Sequence, residues 1–236
     1  MPLAVEAREV GDVTIMRCQG RIVAGTEMDG LRGEISIALQ NRRDVVLHLG
    51  GVVFIDSSGL GMLVRLLTTI RKAGRDLKLC DVGDAVLRVL QITNLTKLFD
   101  LYDSEESAVS SVYKQQSSSG QVSGRGPTVL CFDQSGDVLA CVREVLRSAG
   151  YNILTNRNLY DALILMRATR PQFVVLGPNR GGSPRTLQAF REACTTVHVV
   201  ELGDQFSTQD AGLAASDLLS KIDSCLHGGG SSRDPI

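Results

Sequence analysis

Apolar positions in the first half of the chain alternate between two spacings, those of strands and those of helices. Short runs with strand spacing occur at residues 3–8, 13–18, 44–49, 52–55, 77–80 and 98–102. Stripes with helical spacing follow near residues 26–39, 60–74, 84–90 and 104–113, and Thr26 is the predicted N-cap of the first. The resulting order, β-β-α-β-α-β-α-β-α, predicts an α/β fold with one sheet covered mostly by helices.

A second domain is predicted after a polar interruption. Residues 114–127 are rich in Gly, Ser and Gln without apolar periodicity, which is typical of a flexible linker. Beyond them, continuous apolar strands alternate with helical stripes, a pattern that favours a parallel, doubly wound sheet. We therefore divide the chain into domain 1–113, linker 114–127, domain 128–227 and a disordered tail, 228–236. Residues 180–185, with two arginines and two glycines, are predicted to form a solvated flexible loop.

Composition and charge exclude several classes of function. The formal net charge is −1 and no basic face emerges, which disfavours nucleic-acid binding. The longest apolar runs have the length of a strand, so membrane insertion is not expected. None of the six cysteines forms a CxxC spacing, and the start lacks a secretory signal, so we expect reduced thiols and a cytoplasmic protein. The three histidines share no ligand spacing, and we expect no metal and no cofactor.

The sequence Asp56-Ser57-Ser58-Gly59-Leu60-Gly61 lies where a buried strand gives way to an amphipathic helix. The pattern puts two hydroxyls on the first helical turn, where unpaired N–H groups and the helix dipole favour a phosphate. Two other interpretations compete with a phosphorylation site. A serine here can simply cap the helix. A serine hydrolase is a weaker alternative, because the Gly-x-Ser-x-Gly elbow is missing and His48 lies inside an apolar strand.

Together with Gly20-Arg21-Ile22 after the second strand and the element order, this motif resembles the STAS domain, the fold of bacterial anti-sigma factor antagonists. In that family the first hydroxyl after the Asp is phosphorylated by a partner kinase that is also the anti-sigma factor. The resemblance implies that Ser57 is the acceptor, with Ser58 the second choice. It implies a partner-binding surface with these members: Gly20, Arg21, Asp56, Ser57, Ser58, Gly59 and Leu60.

The resemblance implies a function without catalysis. The unphosphorylated protein would bind its anti-sigma factor, a serine-protein kinase, and phosphorylation of Ser57 would release it. Transcription would thus be regulated by partner switching. The alternative is an accessory STAS subunit of a lipid-transport ABC complex, in which the same junction forms a constitutive contact.

The second domain resembles a response-regulator receiver domain, through Val129-Leu130-Cys131-Phe132-Asp133 and the stretch 170–176. A working receiver needs a second acid after its first strand, an Asp after its third and a Lys after its fifth. In this sequence the second acid is replaced by Gln134 and the acceptor Asp by Gly177. No lysine occupies the third position, since Lys221 lies inside the last helical pattern. We expect a truncated pseudo-receiver that takes no phosphate and contacts another regulator or a second copy.

Overall fold

A computed structural model describes residues 2–23, 25, 27–118, 126–207 and 211–227. The chain forms two compact units, residues 1–120 and 121–236. Thr26, residues 119–125 of the predicted linker and the predicted tail lie outside the described residues. Within the described residues, no helix combines the length and apolar character needed to cross a membrane.

The first unit contains one five-stranded sheet in the order β1-β2-β3-β4-β5. Its strands are β1 (Ala4–Val10), β2 (Val13–Ile22), β3 (Asp44–Ile55), β4 (Leu77–Cys80) and β5 (Asp100–Tyr102). Strand β1 is antiparallel to β2, and the other neighbouring pairs are parallel. The predicted order of elements is confirmed, with a last strand that is shorter than expected because residues 95–97 form a 3-10 turn.

Three of the four helices of this unit bury their apolar stripes in one core. The helices are α1 (Glu27–Gln40), α2 (Ser57–Lys72), α3 (Asp84–Ile92) and α4 (Glu105–Ser118). Leu31 of α1, Leu63 of α2 and Val86 of α3 join Leu47 of β3 in this core. Helix α4 contacts strands β2 to β5 but contributes nothing to that core, so it covers the opposite face of the sheet.

Helix α4 ends at Ser118, five residues inside the predicted linker. The glutamines at its end bond to buried charges of the sheet. Lys78 Nζ donates to Gln115 Oε1 at 3.1 Å, and Gln116 Nε2 donates to Asp44 Oδ2 at 2.9 Å. These contacts hold the last turn of α4 against the sheet, so the first unit extends beyond the predicted boundary at residue 113.

The second unit contains a four-stranded parallel sheet in the order β7-β6-β8-β9. The strands are β6 (Thr128–Phe132), β7 (Asn152–Asn156), β8 (Phe173–Leu176) and β9 (His198–Glu201), and the helices are α5 (Gly136–Ser148), α6 (Leu159–Thr169), α7 (Pro184–Ala193) and α8 (Ala211–His227). Helix α8 contacts both α5 and β9. The prediction of a parallel sheet is confirmed. The prediction of fully apolar strands holds for β8 but not for β7, which begins and ends with asparagine, or for β9, which begins with His198 and ends with Glu201.

Helix α7 corrects the last two residues of the loop predicted at residues 180–185. Pro184 and Arg185 are its first two residues, and Ser183 is its N-cap, whose hydroxyl accepts a hydrogen bond from Thr186 N at 3.2 Å. Proline fits the first helical position because its missing N–H would have no helical partner there. Residues 180–183 therefore lie in a loop, and residues 184 and 185 begin the helix.

Candidate functional site

The parallel strands β2 to β5 end at the same edge of the first sheet, and the junction of β3 with α2 lies at this edge. Asp56 is the N-cap of α2, and its Oδ1 accepts a hydrogen bond from Gly59 N at 2.7 Å. Its own backbone N–H donates to Ile22 O at 3.2 Å. The alternative in which a serine caps this helix does not hold, because Asp56 occupies the N-cap position and Ser57 and Ser58 are already in the first helical turn.

Ser57 and Ser58 are the first two residues of α2, and both are exposed. Among the described residues, neither hydroxyl makes a hydrogen bond. Since Asp56 performs the capping, both hydroxyls remain available to another molecule. A phosphate attached at this position would meet the positive end of the helix dipole.

Gly59 lets helix α2 begin in direct contact with strand β2. A Cβ at Gly59 would collide with the carbonyl oxygen of Ile22 and would come within 2.8 Å of its carbonyl carbon. Gly61, on the exposed side of the same helix, has nothing within 4 Å of such a Cβ. The first glycine therefore sets the position of the serines relative to β2, and the second does not.

An apolar and cationic patch flanks the two serines. Arg21 pairs with Phe54 across β2 and β3, and its guanidinium carbon lies 4.6 Å from the centroid of the Phe54 ring. Phe54 is 42% exposed and Val53 is 67% exposed. Exposed apolar side chains beside a cation are typical of residues that contact a protein partner.

Three of the other residues predicted for the partner surface are buried, and Asp56 is half-buried. Leu60 is only 7% exposed and belongs to the core of the unit, and Gly20 and Gly59 are also buried. Gly20 has a φ of 103°, and β2 shifts its register against β3 between Gly20 and Arg21. Gly20, Gly59 and Leu60 can therefore shape this surface through the backbone, while Arg21 and the serines present side chains to it.

Val53 and Phe54 were not singled out from the sequence. All four residues of Val52-Val53-Phe54-Ile55 are apolar, so their pattern does not say which side chains face the core. The structure buries the outer two and exposes the inner two. A signal was nevertheless present, because the stretch leads directly into the exposed serines.

Among the described residues of the first unit, no histidine lies next to Ser57 to act as a general base. The only histidine of the first unit, His48, precedes Asp56 by eight residues on the same strand, which corresponds to roughly 25 Å. Its Nε2 lies 3.1 Å from Asp81 Oδ2, so this side chain already has a partner. The geometry suits a hydroxyl that accepts a group from another enzyme.

In the second unit, the carboxylate of Asp133 is fully buried at the end of β6. It accepts hydrogen bonds from Ser135 N at 2.6 Å, from Asn179 N at 2.9 Å and from Asn179 Nδ2 at 3.2 Å. A Cβ at Gly177 would collide with this carboxylate. Among the described residues, no group of three His, Cys, Asp or Glu side chains is arranged to hold a metal ion.

Sequence comparisons connect the first unit with known proteins. Residues 4–108 match the STAS domain family. The anti-sigma F factor antagonist of Paenibacillus polymyxa is 33% identical over 91 residues, which cover 38% of this chain and 77% of that protein.

Solved structures also align with nearly half of the chain. An anti-sigma factor antagonist from Mycobacterium paratuberculosis is 21% identical with a TM-score of 0.41, and the match covers 47% of this chain and 93% of that one. The Bacillus cell fate determinant SpoIIAA in its phosphorylated form is 20% identical with a TM-score of 0.39. That match covers 46% of this chain and 99% of the SpoIIAA chain. The family assignment rests on the sequence matches. The chain belongs to the STAS-domain family, and its relatives are anti-sigma factor antagonists.

Proposed function

We propose that this protein is an anti-sigma factor antagonist controlled by phosphorylation of Ser57. In its unphosphorylated form it binds an anti-sigma factor that is also a serine-protein kinase, and phosphorylation releases that partner. The main observation behind this proposal is the exposed Ser57 hydroxyl, which has no hydrogen bond among the described residues at the start of a helix already capped by Asp56. The 33% identity to the Paenibacillus antagonist supports the same function.

Exposure alone does not separate Ser57 from Ser58, since both hydroxyls are exposed and unbonded in the described structure. The family resemblance favours the first hydroxyl after the Asp, which is Ser57. Neither residue has a neighbouring histidine among the described residues, and the Asp56 carboxylate is engaged with Gly59 N, so in this proposal the phosphoryl group and the catalytic machinery both come from the partner kinase.

Phosphorylation can release the partner through local electrostatics. A phosphate adds about −1.5 to −2 charges and three acceptor oxygens at the start of α2, at the same edge of the sheet as Arg21 and Phe54. Opposing like charges at an interface cost several kcal/mol, and each 1.4 kcal/mol weakens binding about tenfold. Since the helix dipole tolerates the phosphate, the domain stays folded while its affinity falls.

The test requires a candidate partner, and a histidine-kinase-like ATPase encoded next to this protein is the first choice. The full chain is incubated with that kinase and ATP, and the phosphate is mapped by mass spectrometry. We expect Ser57→Ala to abolish labelling and the matched control Ser58→Ala to retain it. Labelling of Ser57→Ala at the wild-type level would refute the assignment.

Binding provides a second test of the switch. We expect Ser57→Asp to weaken association with the kinase by at least roughly tenfold, and Ser57→Ala to bind like wild type. Equal affinities of the Asp and Ala variants would contradict release by charge, even if Ser57 were labelled.

For the second unit we propose a truncated pseudo-receiver that takes no phosphate and contacts another regulator. The strand order β7-β6-β8-β9 supports this reading, because it equals the order 2-1-3-4 of a flavodoxin-like sheet without its fifth strand. The three hydrogen bonds to Asp133 and the collision of a Gly177 side chain with it argue against an acceptor here. Lys221 lies in α8, paired with Asp217 at 2.8 Å.

Acetyl phosphate with Mg²⁺ tests this assignment. We expect no hydroxylamine-labile phosphate on residues 126–227 after incubation of the full chain. A phosphoaspartate recovered from this region would overturn the pseudo-receiver proposal and would leave the proposal for Ser57 intact.

A further inference from the structure

The second unit contains a cavity of about 290 Å³ beneath helix α7. Its inner wall comes from Phe132, Leu176, Phe190 and Cys194, which are buried or half-buried. Exposed residues at its mouth include Arg191 and Glu201. The volume lies at the lower end of the range for small-molecule sites and equals that of about ten water molecules in the liquid.

The cavity extends along α7 on one face of the sheet, and one end of it reaches the carboxyl ends of the strands, where open parallel sheets bind ligands. Phe132 and Leu176 are the last residues of β6 and β8, which are neighbours in the sheet. The chain leaves β6 toward β7 on one side and leaves β8 toward β9 on the other, so the order of strands reverses between them. Ligands of doubly wound sheets lie outside the carboxyl ends of the strands at such a reversal.

The inner wall of the cavity is apolar and neutral. The rings of Phe132 and Phe190 are tilted with their centroids 6.2 Å apart. Burial raises the pKa of the Cys194 thiol to about 11, so the thiol stays protonated at neutral pH. A ligand would therefore gain from placing a hydrocarbon segment against this wall.

The mouth of the cavity carries a net positive charge. Arg180 is held in place, since its Nε donates to Gly177 O at 2.9 Å and its Nη1 lies 3.0 Å from Glu201 Oε1. In the described part of the chain, the guanidinium of Arg191 makes neither a hydrogen bond nor an ion pair. One arginine is thus matched by Glu201, and the other remains available to an anion.

From this arrangement we propose that the cavity binds a medium-chain carboxylate. The carboxylate lies on Arg191, where the planar guanidinium offers two parallel N–H donors. The hydrocarbon chain extends along Phe132, Leu176 and Phe190, and the cavity has room for roughly eight to ten methylene groups. The site belongs to the second unit and does not depend on the role of Ser57.

Calorimetric titration of the full chain with decanoate, below its micelle concentration, tests this site. Two substitutions address the two halves of the ligand. Arg191→Gln removes the cation at the mouth, and its control is Arg185→Gln, an exposed arginine of the same helix that does not line the cavity. Leu187→Trp fills the cavity from α7, and its control is Gln188→Trp on the exposed side of that helix.

We expect wild type to bind decanoate saturably at one site, and Arg191→Gln to bind it about tenfold more weakly. Leu187→Trp should abolish binding, while both control variants bind like wild type. A circular dichroism spectrum equal to that of wild type establishes that each variant is folded. Absence of binding by wild type, or equal binding by wild type and folded Leu187→Trp, would overturn the site. Equal affinity for decanoate and decyltrimethylammonium would overturn the role of Arg191.

Discussion

Gly59 and Gly61 lie two residues apart in helix α2, and their surroundings are opposite. A side chain at Gly59 would run into the backbone of Ile22, whereas a side chain at Gly61 would meet no atom within 4 Å. We expect Gly59→Ala to lower the free energy of unfolding of the first unit by about 1–3 kcal/mol through overpacking. Hydrogen exchange of peptides from α2 and β2 measures this change.

Gly61→Ala is the matched control for that substitution. At an exposed helical position, alanine is more favourable than glycine by about 1 kcal/mol. The Gly61→Ala variant should therefore be as stable as wild type or slightly more stable. Similar destabilisation by both substitutions would contradict the assigned contact with Ile22. A stable Gly61→Ala protein that no longer binds its kinase would instead show that the partner approaches the helix at this position.

Substitutions of Asp56 and Ser57 distinguish the residue that caps helix α2 from the residue proposed to be phosphorylated. The Asp56 carboxylate accepts the hydrogen bond from Gly59 N, so Asp56→Ala should cost about 1 kcal/mol of stability. Ser57→Ala removes an exposed, unbonded hydroxyl and should change stability by less than about 0.5 kcal/mol. Urea unfolding followed by hydrogen exchange in α2 measures both. A larger loss for Ser57→Ala than for Asp56→Ala would mean that the serine is a structural residue.

At the scale of elements, one buried carboxylate attaches the first turn of helix α4 to the sheet. Glu105 is 5% exposed and lies 2.6 Å from an Arg8 nitrogen and 2.8 Å from an Arg17 nitrogen. Burial raises the pKa of Glu105, but the hydrogen bonds from Arg8 and Arg17 outweigh it and bring the pKa to about 2. These contacts join the first turn of α4 to strands β1 and β2.

The lowered pKa of Glu105 predicts how this attachment depends on pH. The pKa of Glu105 is near 4.5 in the unfolded chain and lower in the folded protein. Glu105 therefore contributes its full stabilisation of the folded state above about pH 5, and this contribution is lost as the pH falls toward 2. The contribution is on the order of 2–3 kcal/mol, reduced by the partial exposure of both arginines. We expect Glu105→Gln to weaken hydrogen-exchange protection of α4 at pH 7 and to flatten its acid dependence.

The control for Glu105 is Asp103→Asn, which neutralises an exposed carboxylate two residues earlier. This variant should follow the wild-type pH profile. If Glu105→Gln lost protection with the same acid dependence as wild type, a different carboxylate would be responsible for the effect.

The elements that the sequence predicts well are those with strong local signals. The stripe from Leu60 to Ile70 and the glycine after it predicted α2, and Gly74 ends the helix with a φ of 72° and the paired bonds of a Schellman motif. Helix α7 was missed because its apolar stripe is narrow and follows two glycines, although Ser183 and Pro184 are an ordinary start signal. The contacts of Glu105 join residues 88 and 97 positions apart, and no local pattern contains them.

At the scale of the whole molecule, each unit has its own sheet and its own apolar core. The core of the first unit includes Leu47 and Leu63, and that of the second includes Val129 and Phe173. Domains with separate cores unfold as separate cooperative units, so a single melting temperature would not describe this chain. The substitutions proposed for Ser57 and for the cavity should therefore act on different transitions.

Calorimetric melting of the full chain with one destabilising substitution in each unit tests this independence. Phe190 is 3% exposed and contacts Phe132, so Phe190→Ala should cost about 3–5 kcal/mol and lower one transition by more than about 10 °C. Gly59→Ala should lower only the other transition. If each variant shifted both transitions, the units would share an interface that couples their stability. A phosphate on Ser57 could then be sensed in the second unit, whereas independent transitions confine its effect to the surface around Arg21 and Phe54.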